Sequence, residues 1–261
     1  MILAQKNIFV FYDAIGNRQW DFTENRYNSI VVLPTLTIPQ IQLIMDTDTY
    51  ANLDVCDPDG TFLFEAVDPT MVTETGYKRM KYAGGSATGL TEGYYCLKVT
   101  TNLGTYISDV FEWRDDVSLD DLIKIEATSS NFSLGVNKDY VIDMTSFTFS
   151  CYLKLFDYLG LITETEELAR EANGVIFPYY TGTATSESWI INGNKHIYKF
   201  LSSLRLLQQN GVVTITWRGE ARTAMDIMVE INRDHGYFDL VDIEIKIKPS
   251  NEVVTVINKT V

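Results

Sequence analysis

Histidine is almost absent: 261 residues carry two, His196 and His235. A nucleophile needs a base beside it, most often an imidazole, so nucleophilic hydrolysis has little to work with. His196 stands next to Lys195 at the start of a helical pattern and His235 in the turn RDHG, and both read as structural or solvated. Cysteine is scarce as well. Cys56, Cys96 and Cys151 are odd in number, none is close to another in sequence, and no CxxC metal or redox motif exists. Each falls in a β-type run, which reads as a buried thiol and fits assembly in a reducing cytoplasm. Long apolar runs are missing, since nothing approaches the ~20 residues of a spanning helix. The opening MILAQKNIFVFYDA has no basic leader and no apolar core ending in a cleavage site. No membrane span and no ordinary export are therefore expected. Positive charge is in deficit, with 21 Lys and Arg against 35 Asp and Glu and a net charge of −14. A field of that sign repels phosphate backbones and anionic membrane surfaces, which argues against direct nucleic-acid binding.

Chemical motifs fail one residue at a time. G-x-S-x-G is not met at 85–88, where position 88 is Thr. Gly84 and Gly89 have the separation of a phosphate loop, but Leu90 stands where that loop needs Lys. Asp57, Asp59 and Gly60 resemble part of a calcium loop, yet its first and twelfth ligand positions would be Val55 and Ala66, so a bare β-turn is expected. Asp46 and Asp48 would only assist a looser calcium site. Glu164, Glu166, Glu167 and Glu171 offer carboxylates of the kind glycosidases pair, with Glu164 or Glu167 as the first choice. Their clustering on a short capped helix argues instead for a solvated acidic face. Tyr179, Tyr180 and Trp189 would be the stacking residues of a carbohydrate-binding module for host-surface glycan, the alternative reading; strand aromatics serve cores and interfaces more often. No catalytic, cofactor-binding or metal-ligating residue is assigned, and no cofactor is expected.

What is present is strand pattern. The hydrophobic share of 46 % can fill a real core, and 15 Tyr suit sheet faces and contact surfaces. The clearest stretch is GYYCLKVTTNLGTYISDVFEW, Gly93 to Trp113. Tyr95, Leu97 and Val99 share one face, and Tyr94, Cys96, Lys98 and Thr100 the other. The second arm mixes apolar residues over both faces, which predicts a bulge or cover on both sides. Asn102 and Gly104 suit positive φ in the turn. About seven short strands up to Trp113, including 7–14, 19–23, 28–33, 51–56, 61–65 and 77–82, predict an immunoglobulin-like β-sandwich. The acidic RDDVSLDD, 114–121, marks a boundary, giving domains 1–113 and 114–261, in keeping with roughly 100–200 residues per domain. The second domain is β-rich, with strands at 122–127, 147–156, 212–217, 221–231, 238–247 and 252–257. Thr163-Glu164-Thr165-Glu166 fits a capping box and predicts a short acidic helix ending near Gly174. Ile197, Phe200, Leu201, Leu204 and Leu207 form one stripe of a packed helix over 195–209, ended by Asn210-Gly211. The fold class expected is thus mainly β, two sandwich-like domains, the second with a packed α-helix and a short acidic one.

Several of these stretches resemble one family, the virion structural proteins of tailed phages that infect Bacteroides-type gut bacteria, crAss-like phages among them. The resemblance rests on GYYCLKV (93–99), TYISDVFEW (105–113), DDLIKIEA (120–127), TETEELAREANGVIFP (163–178) and KFLSSLRLLQQNGVVTI (199–215), in the same order over roughly 93–247. Ile107 departs from the family, which tends to have Tyr there. The resemblance implies a non-enzymatic subunit of the tail, collar or fibre-attachment region, made in the host cytoplasm and resident in the virion. Its implied partners are other copies of itself, in a symmetric ring, and neighbouring tail, portal, neck or fibre proteins. It carries over no catalytic residue.

Overall fold

The computed structural model describes residues 2–5, 7–13, 31–34, 37–46, 51–58, 60–65, 69–86, 90–114, 121–129, 133–135, 141–170, 176–236 and 240–249. The expected turn at 15–18, the strands at 19–23 and 252–257, the linker residues 115–120 and Glu171 lie outside these. The chain is mainly β. Its first half holds β1 (Ile2–Gln5), β2 (Phe11–Asp13), β3 (Val31–Pro34), β4 (Thr37–Ile38), β5 (Ile41–Met45), β6 (Ala51–Cys56) and β7 (Phe62–Glu65). There follow β8 (Thr70–Glu74), β9 (Tyr77–Tyr82), β10 (Gly85–Ser86), β11 (Gly93–Thr101), β12 (Thr105–Ser108) and β13 (Phe111–Arg114). The second half has β14 (Leu122–Ser129), β15 (Ser133–Gly135), β16 (Val141–Asp143), β17 (Thr148–Lys154), β18 (Asp157–Arg170) and β19 (Ile176–Asn194). Two short helices, α1 (Lys195–Leu201) and α2 (Leu204–Gln209), precede β20 (Gly211–Trp217), β21 (Glu220–Asp234) and β22 (Leu240–Pro249).

Period-two alternation sets which face each strand buries. In β17 Phe149, Cys151 and Leu153 are buried; opposite them in β14 stand Ala127, Ile125 and Ile123, and opposite those in β20 Val213, Ile215 and Trp217. Three strands thereby line up one apolar wall. The stripe of α1 and α2 packs on it, with Phe200 and Phe149 at 5.0 Å between ring centroids. One 14-stranded sheet runs β18-β19-β22-β21-β20-β14-β17-β3-β13-β11-β12-β2, with β6 paired to β11 and β7 to β6. A second sheet, β1-β5-β9-β8, has four strands. Across the expected boundary at 114–121 the large sheet is continuous, because β3 pairs with β13 on one side and β17 on the other. Leu33, Leu43, Phe111, Phe149 and Ile215 belong to one buried cluster.

The 93–113 stretch folds as the alternation requires, and its second arm is bulged. Lys98 faces Ile107 in β12, whereas Tyr95 faces Phe111 in β13, a slip of one residue centred on Ser108 and Asp109. The turn is not made by positive φ at Asn102 or Gly104. The Thr101 hydroxyl makes it, accepting from the Leu103 and Gly104 amides at 3.1 Å each, while the Thr101 amide donates to Gly104 O at 2.8 Å.

Three further expectations are corrected. The first strand is not continuous over 7–14: β1 ends at Gln5, 7–9 bend, and β2 starts at Phe11. The acidic helix from Thr163 is absent, because Thr163–Arg170 lies within strand β18. Thr-Glu-Thr-Glu fits a cap but also alternates with period two, and its β-branched threonines favour a strand. Fourteen cross-strand pairs with β19, from Asp157↔Ile190 to Arg170↔Ile176, decide between them. The helix over 195–209 is two helices. Asn194 caps the first, its side chain accepting from Ile197 N at 2.9 Å. Ser202 and Ser203 interrupt it, their hydroxyls donating back to Tyr198 O and Phe200 O. Ile197, Phe200, Leu201, Leu204 and Leu207 are nonetheless all buried, so the stripe survives the break.

Candidate functional site

Among the described residues, those singled out from the sequence do not converge. His196 lies in the first turn of α1 with Nε2 3.0 Å from Asn7 O, and burial lowers its pKa, which keeps the ring neutral near pH 7. His235 is exposed beyond β21, with Nε2 2.9 Å from Asp242 Oδ1. Asp57 and Gly60 form a tight turn, Gly60 N donating to Asp57 O at 2.8 Å with Gly60 at φ 85°. Glu164 and Glu167 lie on strand β18, paired with Thr183 and Tyr180 of β19. Trp189 is 0 % exposed, its ring 5.8 Å from that of Tyr158, so it offers no face to a sugar.

What the fold does assemble is a buried polar seam around residues 5–11. Asn7, Ile8, Phe9 and Val10 are buried but outside any strand, so side chains must satisfy their backbone. Three side chains tie this segment to its surroundings: Asp109 bonds its backbone, Gln5 the backbone of Phe11 beside it, and Asn7 reaches out to the backbone of Gln42. Gln5 donates to Phe11 O and accepts from Phe11 N, both at 2.9 Å. Asn7 donates to Gln42 O and accepts from Gln42 N, again at 2.9 Å each. At the bulge, Asp109 Oδ1 accepts from Val10 N and Asp109 N donates to Val10 O, both at 3.1 Å. Gln42 Nε2 carries the seam on to Asp143 O at 2.6 Å. The Asp143 carboxylate lies 3.6 Å from Arg79 and 4.0 Å from Lys81. Burial would raise the Asp143 pKa, but Thr145 and these cations outweigh it and hold it below the ordinary value. Asp109 has no cation among the causes of its shift: burial pushes it up to about 7, against the opposing pull of its backbone hydrogen bonds.

Two further charged groups are closed ion pairs. Glu112 meets Arg114 Nε at 2.6 Å and Lys154 Nζ at 2.5 Å. Burial works to raise its pKa, and the two cations prevail and lower it. Glu187 meets Arg222 beside Tyr158, whose ring lies 4.0 Å from Trp217. In each group the carboxylate faces cations, which leaves it engaged in structure rather than poised toward a reactant. Among the described residues no set of three or more His, Cys, Asp or Glu side chains is placed to hold a metal ion. No helix among them is long and apolar enough to cross a membrane.

The polar seam escaped the sequence reading because its members, Asn7, Gln42, Asp109, Asp143 and His196, are scattered along the chain. A local signal existed in Asp109, a lone acid inside the apolar run YISDVFEW. The chain matches no protein-family model, no curated protein and no solved structure.

Proposed function

We propose that the chain is a non-enzymatic structural subunit of a phage virion, in the tail, collar or fibre-attachment region, forming a symmetric ring with further copies and neighbouring virion proteins. Division into two sandwich-like units, 1–113 and 114–261, belongs to the same proposal. The observation that carries it is the β18–β19 ribbon. β22 pairs with β19 from Glu187 to Asn194, and among the described residues the pairs from Leu161↔Ser186 to Arg170↔Ile176 continue with no third strand on β19. A two-stranded ribbon is marginal alone in water, and contact with a neighbouring subunit would supply what it lacks. The body of the molecule adds Phe156 at 65 % and Met225 at 57 % exposure, apolar groups suited to contact surfaces. Acidic excess would hold unassembled copies apart until such contacts outweigh the repulsion. Mass spectrometry of purified virions should find the chain at a fixed ratio to the other structural proteins. Its absence from particles whose genome encodes it would reject the proposal.

A further inference from the structure

Cys56 and Cys96 are forty positions apart in the chain and directly opposite one another in the fold. They are register partners in the antiparallel β6–β11 pair, so both side chains rise from the same face of the sheet. Opposed residues of antiparallel strands have Cα atoms ~4.5–5.5 Å apart, inside the ~4.4–6.8 Å span that a disulfide bridges. That face is not the core face. Leu97 and Val55, the next pair along, point into the core, while Cys56 and Cys96 share their side with the Lys98–Asp54 ion pair. The turn after β6 lies over the thiols: Cys96 Sγ donates to Asp57 O at 3.0 Å. Among the described residues β7 pairs with β6 alone, at the margin of the sheet, and its Phe62 and Leu63 are exposed. Cys151 differs in every respect. It sits on the core wall opposite Ile125, and burial raises its pKa strongly.

We propose that Cys56 and Cys96 form a cross-strand disulfide when the folded chain meets a small-molecule disulfide oxidant, and that Cys151 stays a thiol. A Cys thiolate attacks the oxidant and expels one small thiol; the second Cys attacks the resulting mixed disulfide and expels the other. Two protein thiols are oxidised, and one small disulfide is reduced to two thiols. Burial pushes the Cys56 thiol up to about 11, partly offset by Lys98, so in the closed fold the attack is slow. Opening of the 57–61 turn and the β7 margin admits the oxidant, as margins of sheets open before their centres.

The test incubates the full folded chain in a glutathione redox buffer until the thiol count stops changing. Thiols counted after denaturation should fall from three to one, and peptide mapping should find a Cys56–Cys96 linkage. Cys151→Ser should fall to no thiols, and Cys56→Ser should keep both of its remaining ones. The oxidised chain should melt higher than the reduced chain, and a reductant should reverse the rise. Persistence of all three thiols, a linkage through Cys151, or a bridge that lowers the melting temperature would each overturn the proposal.

Discussion

At the scale of single residues, two positions have measurable consequences. Gly211 opens β20 opposite Ser129, and a Cβ there would stand 1.8 Å from Thr128 O and 2.8 Å from Ser129 Cα. Both obstacles are backbone, so neither can rotate away. Gly211→Ala should cost about 3 kcal/mol or more, at the upper end of overpacking effects, in urea unfolding. Gly76→Ala is the control: its φ is 87° but nothing lies within 4 Å, so only the backbone conformation resists, at about 1 kcal/mol. Asp109 titrates instead of clashing. Its folded pKa, about 7, exceeds the ordinary Asp value of 3.8, so between those values the native state binds more protons than the unfolded chain. Its contribution to stability is then full below the unfolded pKa and lost as pH rises through about 7. Asp109→Asn keeps an oxygen for Val10 N and cannot ionise, so it should flatten that decline. The side chain is only half-buried, which limits the expected gain at pH 8 to about 1–2 kcal/mol. A parallel pH dependence in variant and parent would refute the assignment.

At the scale of elements, the buried segment 7–10 depends on side chains where a strand would depend on its neighbour. Removing the amide in Asn7→Ala leaves Gln42 N and Gln42 O without that partner, and should cost about 2–4 kcal/mol by chemical denaturation. A loss below about 0.5 kcal/mol would mean water replaces the amide. The same contrast explains what the sequence could reveal. β11, β17, β20 and β22 were legible because one face of each meets the core, which writes period two into the chain. The stripe through α1 and α2 was legible for the same reason, since burial selects its residues whether or not the helix is continuous. The break at Ser202–Ser203 was not, because serine hydroxyls return to the backbone only where geometry lets them. β18 misled through a local cap signal that lost to antiparallel pairing with the next strand of the chain. Gln5, Asn7 and Asp109 carried no periodic signature, because each substitutes for a ladder bond at one point only.

At the scale of the whole molecule, the ribbon and the body make separable contributions. The core cluster draws on both halves of the chain, and β3 ties β13 to β17, so the body should unfold as one cooperative unit. The outer ribbon pairs, from Leu161↔Ser186 outward, have no third strand on β19 among the described residues to join them to that unit. Replacing 161–186 by a short Gly-containing turn between Gly160 and Glu187 should therefore leave the thermal midpoint within about 3 °C of the parent, since loss of a marginal element costs less than about 1 kcal/mol. If the ribbon serves assembly, the shortened chain should sediment as a monomer under conditions where the full chain forms a defined multimer. Two failures read differently. A midpoint lowered by more than about 10 °C would place the ribbon inside the cooperative unit, whereas an unchanged midpoint with an unchanged multimer would move the subunit contact to the body, where Phe156, Met225 and Met228 are the exposed apolar groups to change next.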